Sequence, residues 1–195
     1  NTANEFSYEA LSTSSGVPKN TLKKYIDYLE AAFLIKQVRR IDQSGKRFQR
    51  DNYFKLYLTN PSLRSALFAP LTATDDLIGA MVETAIFDQW MHREQFTPWY
   101  ARWSKGEVDM VGLDDKTLKP QWALEIKWSN RYVENPKELK SLIPFCLEND
   151  LDAAFVTTID KESKQVYKGV HLQFMPAAAY AYTVGKNTLE CKIKK

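Results

Sequence analysis

The sequence predicts a mixed α/β protein of the α+β kind, in which an N-terminal helical unit precedes a larger unit built on a mixed sheet. Three observations predict it. Apolar residues recur at helical spacing near the start of the chain and again over residues 77–90. The runs Gly106–Gly112 and Trp122–Trp128 instead alternate with period two, as half-buried strands do. Between these regimes, residues 59–76 hold Pro61, Pro70 and three threonines, a composition that reads as a short helix followed by a linker. The expected organisation is therefore 1–60, a linker at 61–76, and 77–195.

The chain of 195 residues is long enough to withdraw roughly 70% of its unfolded surface from water without covalent staples. Hydrophobic residues at 44% and charged residues at 26% exclude a largely disordered chain. Cys146 and Cys191 have no metal-ligand or redox spacing, and a reducing, cytoplasmic setting is the expectation. No apolar run approaches the roughly 20 residues of a membrane span, so no membrane partner is expected. The net charge of +3 is unevenly spread: residues 1–60 carry ten Lys or Arg against six Asp or Glu. The chain begins at Asn1 rather than Met, which suggests part of a longer protein.

In order, Phe6–Leu11 reads as a helix, Ser12–Gly16 as a polar break, and Val17–Glu30 as a second helix with Leu22, Tyr25, Ile26 and Leu29 in one stripe. Tyr25 and Tyr28 follow that stripe and are expected to pack rather than to stack on bases. A strand through Val38, a turn at Asp42–Lys46 and a strand at Asn52–Leu58 complete the layout of a winged helix-turn-helix. Lys19, Lys23 and Lys24 would lie on its recognition helix, and Arg39, Arg40, Lys46, Arg47 and Arg50 on its wing, a set suited to DNA phosphates.

Beyond the linker, Asp76 reads as the cap of a helix running to Trp90, with Glu83 on the same face as Gly79, Ile86 and Trp90. Gly79 would leave room for another segment to approach Glu83. Strands follow at Thr97–Trp103, Gly106–Gly112 and Trp122–Trp128, then a helix at Pro136–Asn149, strands at Asp152–Thr158 and His171–Met175, and a helix at Pro176–Tyr182. The core order is α-β-β-β-α-β.

The chemistry sits in Glu107-Val108-Asp109 and Glu125-Ile126-Lys127. Residues two apart on a strand share a face. Leu124 and Ile126 would enter the core while Glu125 and Lys127 project together from the other face. Likewise Val108 and Met110 would face one way and Asp109 the other. A Glu-x-Lys pair on a strand is also common as a solvated pair. His92 and His171 show no ligand spacing, and Arg102 is a lesser candidate for phosphate contact.

This constellation resembles the PD-(D/E)XK nuclease superfamily, whose restriction-endonuclease-like core joins a strand acid, an acid-x-Lys triplet and a helical Glu. The matched positions are Asp109, then Glu125 and Lys127, with Glu83 on the helix; Val108 stands where the superfamily often has Pro. The resemblance implies Mg2+ (or Mn2+) held by Glu83, Asp109, Glu125 and the Ile126 carbonyl. It also implies catalytic roles for Glu83, Asp109, Glu125 and Lys127 in hydrolysing a DNA phosphodiester.

Nearly the whole chain also resembles the C-terminal region of a family of bacterial and archaeal AAA+ ATPases annotated mainly as a domain of unknown function. The carrying strings are Ser15–Pro18 with Thr21, Tyr25 and Leu29-Glu30, then Lys55–Pro61, then Gly79–Glu83. That resemblance implies an N-terminal ATPase module outside this chain, which itself has no phosphate-binding Gly-rich loop. Two functions follow as expectations: a metal-dependent nuclease module with a basic winged helix, or a catalytically inactive nuclease-like module that binds DNA or protein and regulates an ATPase.

Overall fold

The strand-forming runs on both sides of the 61–76 segment pair into one nine-stranded mixed sheet. The computed structural model describes residues 4–47, 52–72, 74–93 and 96–193. The first unit contributes β1 (Glu5–Ser7), α1 (Tyr8–Ser15), α2 (Lys19–Ala31), β2 (Ile35–Ile41) and β3 (Tyr53–Leu58). Phe6, expected in a helix, lies in β1. Ser7 is the cap of α1: its extended backbone keeps the preceding residues in a strand, and its side chain accepts from the Ala10 N–H at 3.1 Å. Gly16, at φ 71°, closes the same helix.

α3 (Ser62–Leu67) and α4 (Ile78–Met91) lead into β4 (Trp99–Trp103), β5 (Gly106–Leu113) and β6 (Pro120–Glu125). α4 begins after Leu77 without a side-chain cap, so Asp76 does not play that part. After β6 come α5 (Arg131–Glu134), a 3-10 turn, α6 (Leu142–Glu148), β7 (Ala153–Thr158), β8 (Ser163–Tyr167), β9 (Val170–Pro176) and α7 (Ala177–Ile193). The helix expected from Pro136 starts only at Leu142. Pro144 has no N–H to donate to a preceding turn, so it is tolerated only near the start of a helix.

The sheet order is β1-β3-β2-β4-β5-β6-β7-β9-β8. The antiparallel β1-β3-β2 ladder joins the rest through a parallel pairing in which Arg39, Arg40 and Ile41 face Trp99, Tyr100 and Ala101. The sheet thus runs across the segment read from sequence as a linker. β6 and β7 are also parallel, joined by the crossover that contains α6.

Two apolar cores lie on the two faces. Ile41, Trp99, Val108, Ala123 and Val156 pack with Leu142 and Phe145 of α6; Val38, Tyr57, Tyr100, Met110 and Leu124 pack with Phe87 of α4 and Tyr180 of α7. Each fully buried Leu, Val or Phe contributes about 1.5–3 kcal/mol of hydrophobic stabilisation before entropy is charged against it. Among the described residues no helix is long and apolar enough to cross a membrane.

One irregularity positions the polar residues. Trp99 pairs with Val111 but Ala101 with Val108, so β5 carries one residue more than β4 across this interval, a β-bulge. Its consequence corrects the alternation: Val108 and Met110 enter opposite cores instead of sharing a face. Leu124 and Ile126 do enter the same core.

Candidate active site

Asp109, Glu125 and Lys127 come together where β5 and β6 end their pairing. The Lys127 ammonium lies 2.8 Å from Glu125 Oε1 and 3.3 Å from Asp109 Oδ2. Asp109 Oδ2 also accepts from the Ile126 N–H at 2.7 Å, a charge-assisted bond that fixes the carboxylate against the next strand. Thr157 of β7 holds the other side: its hydroxyl accepts from the Lys127 N–H at 2.8 Å and donates to the Lys127 carbonyl at 2.9 Å. Thr157 is fully buried, and sequence reading passed over it because its strand shows only apolar and hydroxyl residues.

Glu83 is held by partners that the sequence did not reveal. Its Oε1 accepts from the Tyr57 hydroxyl at 2.5 Å and from the Lys55 ammonium at 3.1 Å. Lys55 is 2% exposed and also donates to Glu107 at 2.5 Å. Glu107 in turn accepts from Arg102 at 2.9 Å, while Glu5 accepts from Arg40 at 3.2 Å and from the Tyr100 hydroxyl at 2.8 Å. The available signal was Lys55-Leu56-Tyr57, which places a cation and a phenol on one face of β3. Nothing in the sequence said that this face meets α4.

Counted as formal charges, Glu5 is matched by Arg40 and Glu107 by Arg102. Glu83, Asp109 and Glu125 then face only Lys55 and Lys127, one negative charge in excess. Protonation reflects it. Burial, then the Asp109 charge, pushes Glu125 up to about 8 against the pull of Lys127. Burial pushes Glu83 up to about 7, with Lys55 opposing and Asp109 adding. Burial alone would lower the two lysines, but the carboxylates around each outweigh it and hold both above the ordinary lysine value.

The donor set has features of a divalent-cation site. Glu125 Oε2 is buried without a hydrogen-bond partner, and the cluster lacks one positive charge; both features fit a hard cation on Asp109 and Glu125. Among the described residues no group of three His, Cys, Asp or Glu is gathered for a metal, and the Glu83 carboxylate is held by Tyr57 and Lys55. Asp109 and Glu125 supply two carboxylates, the number that Mg2+ ordinarily takes.

The predicted DNA-contact residues separate into groups. Lys19, Lys23 and Lys24 are exposed on α2, with Lys19 paired to Glu9 at 2.5 Å. Arg40 belongs to the Glu5 network and lies over the Tyr53 ring rather than facing outward. Arg39, Lys46 and Arg47 line a cavity with Trp99, and Arg50 lies outside the described residues. Tyr25 and Tyr28, expected to pack, are 53% and 67% exposed; of the helical stripe only Ile26 is buried, since α2 covers just a short ladder and α1. Gly79 has open space around it, with no segment approaching among the described residues.

Comparison with known proteins places one part of the chain. A family described as a domain of unknown function (DUF8612) matches residues 1–75. No curated protein and no solved structure matches the chain.

Proposed function

We propose that this chain is a metal-dependent phosphodiesterase module acting on DNA, with its chemistry at Asp109, Glu125 and Lys127. The observation that carries the reading is the Asp109–Lys127–Glu125 cluster, in which one buried carboxylate oxygen and one negative charge are left unmatched. The α4-β4-β5-β6-α6-β7 succession supports a nuclease-like core, and the β1-β3-β2 ladder with α1 and α2 supports a winged helix. An ATPase module elsewhere in a longer protein, and a cytoplasmic setting, belong to the same proposal.

In this mechanism Asp109 and Glu125 would hold the cation, and Mg2+ or Mn2+ when bound would polarise a phosphate and acidify a water. Lys127 leaves its bridge between the two carboxylates and places its ammonium beside the phosphate, offsetting charge that develops in the transition state. Thr157 keeps the Lys127 backbone fixed while the side chain moves. Glu83, held by Lys55 and Tyr57, orients polar groups at the margin of the site instead of ligating.

A second reading rests on a specific observation: Lys55 and Lys127 neutralise all but one of the three site carboxylates. In that reading a proton on Glu125 balances the last charge, the cluster is a scaffold, and the chain is an inactive module that binds DNA or protein. Cleavage of supercoiled, linear and single-stranded DNA with Mg2+ or Mn2+, wild type beside Asp109→Asn, separates the two. Metal-dependent cutting that falls at least 100-fold in the variant supports the phosphodiesterase; no cutting by either folded protein supports the scaffold.

A further inference from the structure

A cavity of about 800 Å³ lies away from the carboxylate cluster, on the α6 face of the sheet. Its wall joins distant parts of the chain: the β2–β3 turn supplies Lys46 and Arg47, β2 supplies Arg39, β4 supplies Trp99, and the β5–β6 turn supplies Lys119. Four cations line one opening, of which Arg39 is engaged elsewhere and Arg47 lies over the Trp99 ring, leaving Lys46 and Lys119 to face it, against Glu148 and Asp150 on the α6 side. Like charges around a common opening repel, so the arrangement favours an anionic occupant.

Specific contacts position the walls. Asn149 donates to the Gln43 carbonyl at 2.8 Å, which ties the β2–β3 turn to the end of α6. Gly45, at φ 76°, sits so close to Pro120 that an added Cβ would come within 2.5 Å of the proline ring. On the opposite rim the Asp114 carboxylate accepts from the Lys116 and Thr117 N–H groups, fixing the turn that carries Lys119. Leu118 (φ 59°) and Asp150 (φ 56°) both line this cavity, two of four non-glycine residues in the left-handed region among the described residues. Backbone strain of this kind persists where surrounding structure imposes it, and it gathers at ligand clamps.

We propose that this cavity is the seat of a phosphodiester backbone, with Lys46 and Lys119 gripping successive phosphates, and that α2 is not the principal nucleic-acid contact. The proposal rests on the DNA reading above for its polymer and extends it by a binding site. Pro120 at the cavity and Glu125 at the carboxylate cluster are five residues apart on β6, about 17 Å along the strand. That span is about five base pairs of duplex.

The test is fluorescence anisotropy of a labelled 20-base-pair duplex in EDTA across a NaCl series, with no cleavage involved. Wild type is compared with Lys46→Glu/Lys119→Glu and with Lys23→Glu/Lys24→Glu, all four positions being exposed. The cavity variant is expected to lose at least tenfold in affinity and to flatten the salt dependence by about two phosphate contacts, with the α2 variant within about threefold of wild type. Should charge reversal disturb folding, Lys46→Gln/Lys119→Gln carries the same expectation with a smaller loss. Absence of duplex binding by wild type, a cavity variant within threefold of wild type, or equal losses in both variants overturns the proposal. Displacement of duplex by low-millimolar inorganic phosphate at constant ionic strength also overturns it, by assigning the cavity to a small phosphate. A protein that binds through the cavity but never cuts leaves this site standing and refutes only the phosphodiesterase.

Discussion

Replacing Lys55 by Met removes one cation while keeping most of the side chain's length and apolar stem. In the native structure its ammonium is within hydrogen-bond reach of Glu83 and Glu107, and the residue is 2% exposed. The variant would leave Glu83, already held above the ordinary carboxylate range by burial, without its principal cation. Removing one member of a buried ion pair costs about 3–5 kcal/mol, because the remaining charge has lost both water and partner. For a chain of this length that corresponds to a fall in melting temperature of roughly 10 °C. Thermal and urea melts at pH 8 measure it. Glu83→Gln in the Lys55→Met background should recover part of the loss, with a coupling of about 1–3 kcal/mol in the double-mutant cycle. A Lys55→Met protein melting within about 2 °C of wild type would refute the reasoning, since the network would then contribute no net stability.

Three further outcomes follow. In EDTA, stability should fall as pH rises from about 4.5 to about 8: Glu83 and Glu125 keep their protons in the folded state while the unfolded chain has released them, and Glu125→Gln should flatten the slope by up to about 1.4 kcal/mol per pH unit. The raised lysines contribute stability that is complete below their ordinary value and lost only above it, outside this window. Gly112→Ala should destabilise by about 1–3 kcal/mol in a urea melt, because an added Cβ would come within 2.2 Å of the Trp122 indole, which stacks on Trp90 at 4.9 Å. In a Cys191→Ser background, Cys146 should resist iodoacetamide at pH 8 until the protein unfolds, since burial, then the Glu125 charge, pushes its thiol up to about 12.

How much of the site could be read in advance depended on whether its cause was local. Glu125 and Lys127 meet at 2.8 Å as alternation predicts, although β6 ends at Glu125 and Lys127 lies just beyond the strand expected to run to Trp128. The same rule failed one strand away, because the extra residue in β5 belongs to its pairing with β4 and not to β5 alone. β8 went unread since its burial is only partial and its alternation is polar on both faces.

Sequence by itself determined the α+β class, the order of most elements and the grouping of Asp109, Glu125 and Lys127, because periodicity and turn chemistry act over a few residues. Tertiary structure alone decided that β2 and β4 pair in parallel and merge the two expected units into one sheet. It also brought β3 against α4, so that Lys55 and Tyr57 hold Glu83, and set the β2–β3 turn against α6 to close the basic cavity. The reason is common to all three: each joins residues more than 25 positions apart, and such contacts are selected by the packing of whole faces, which no short window of sequence contains.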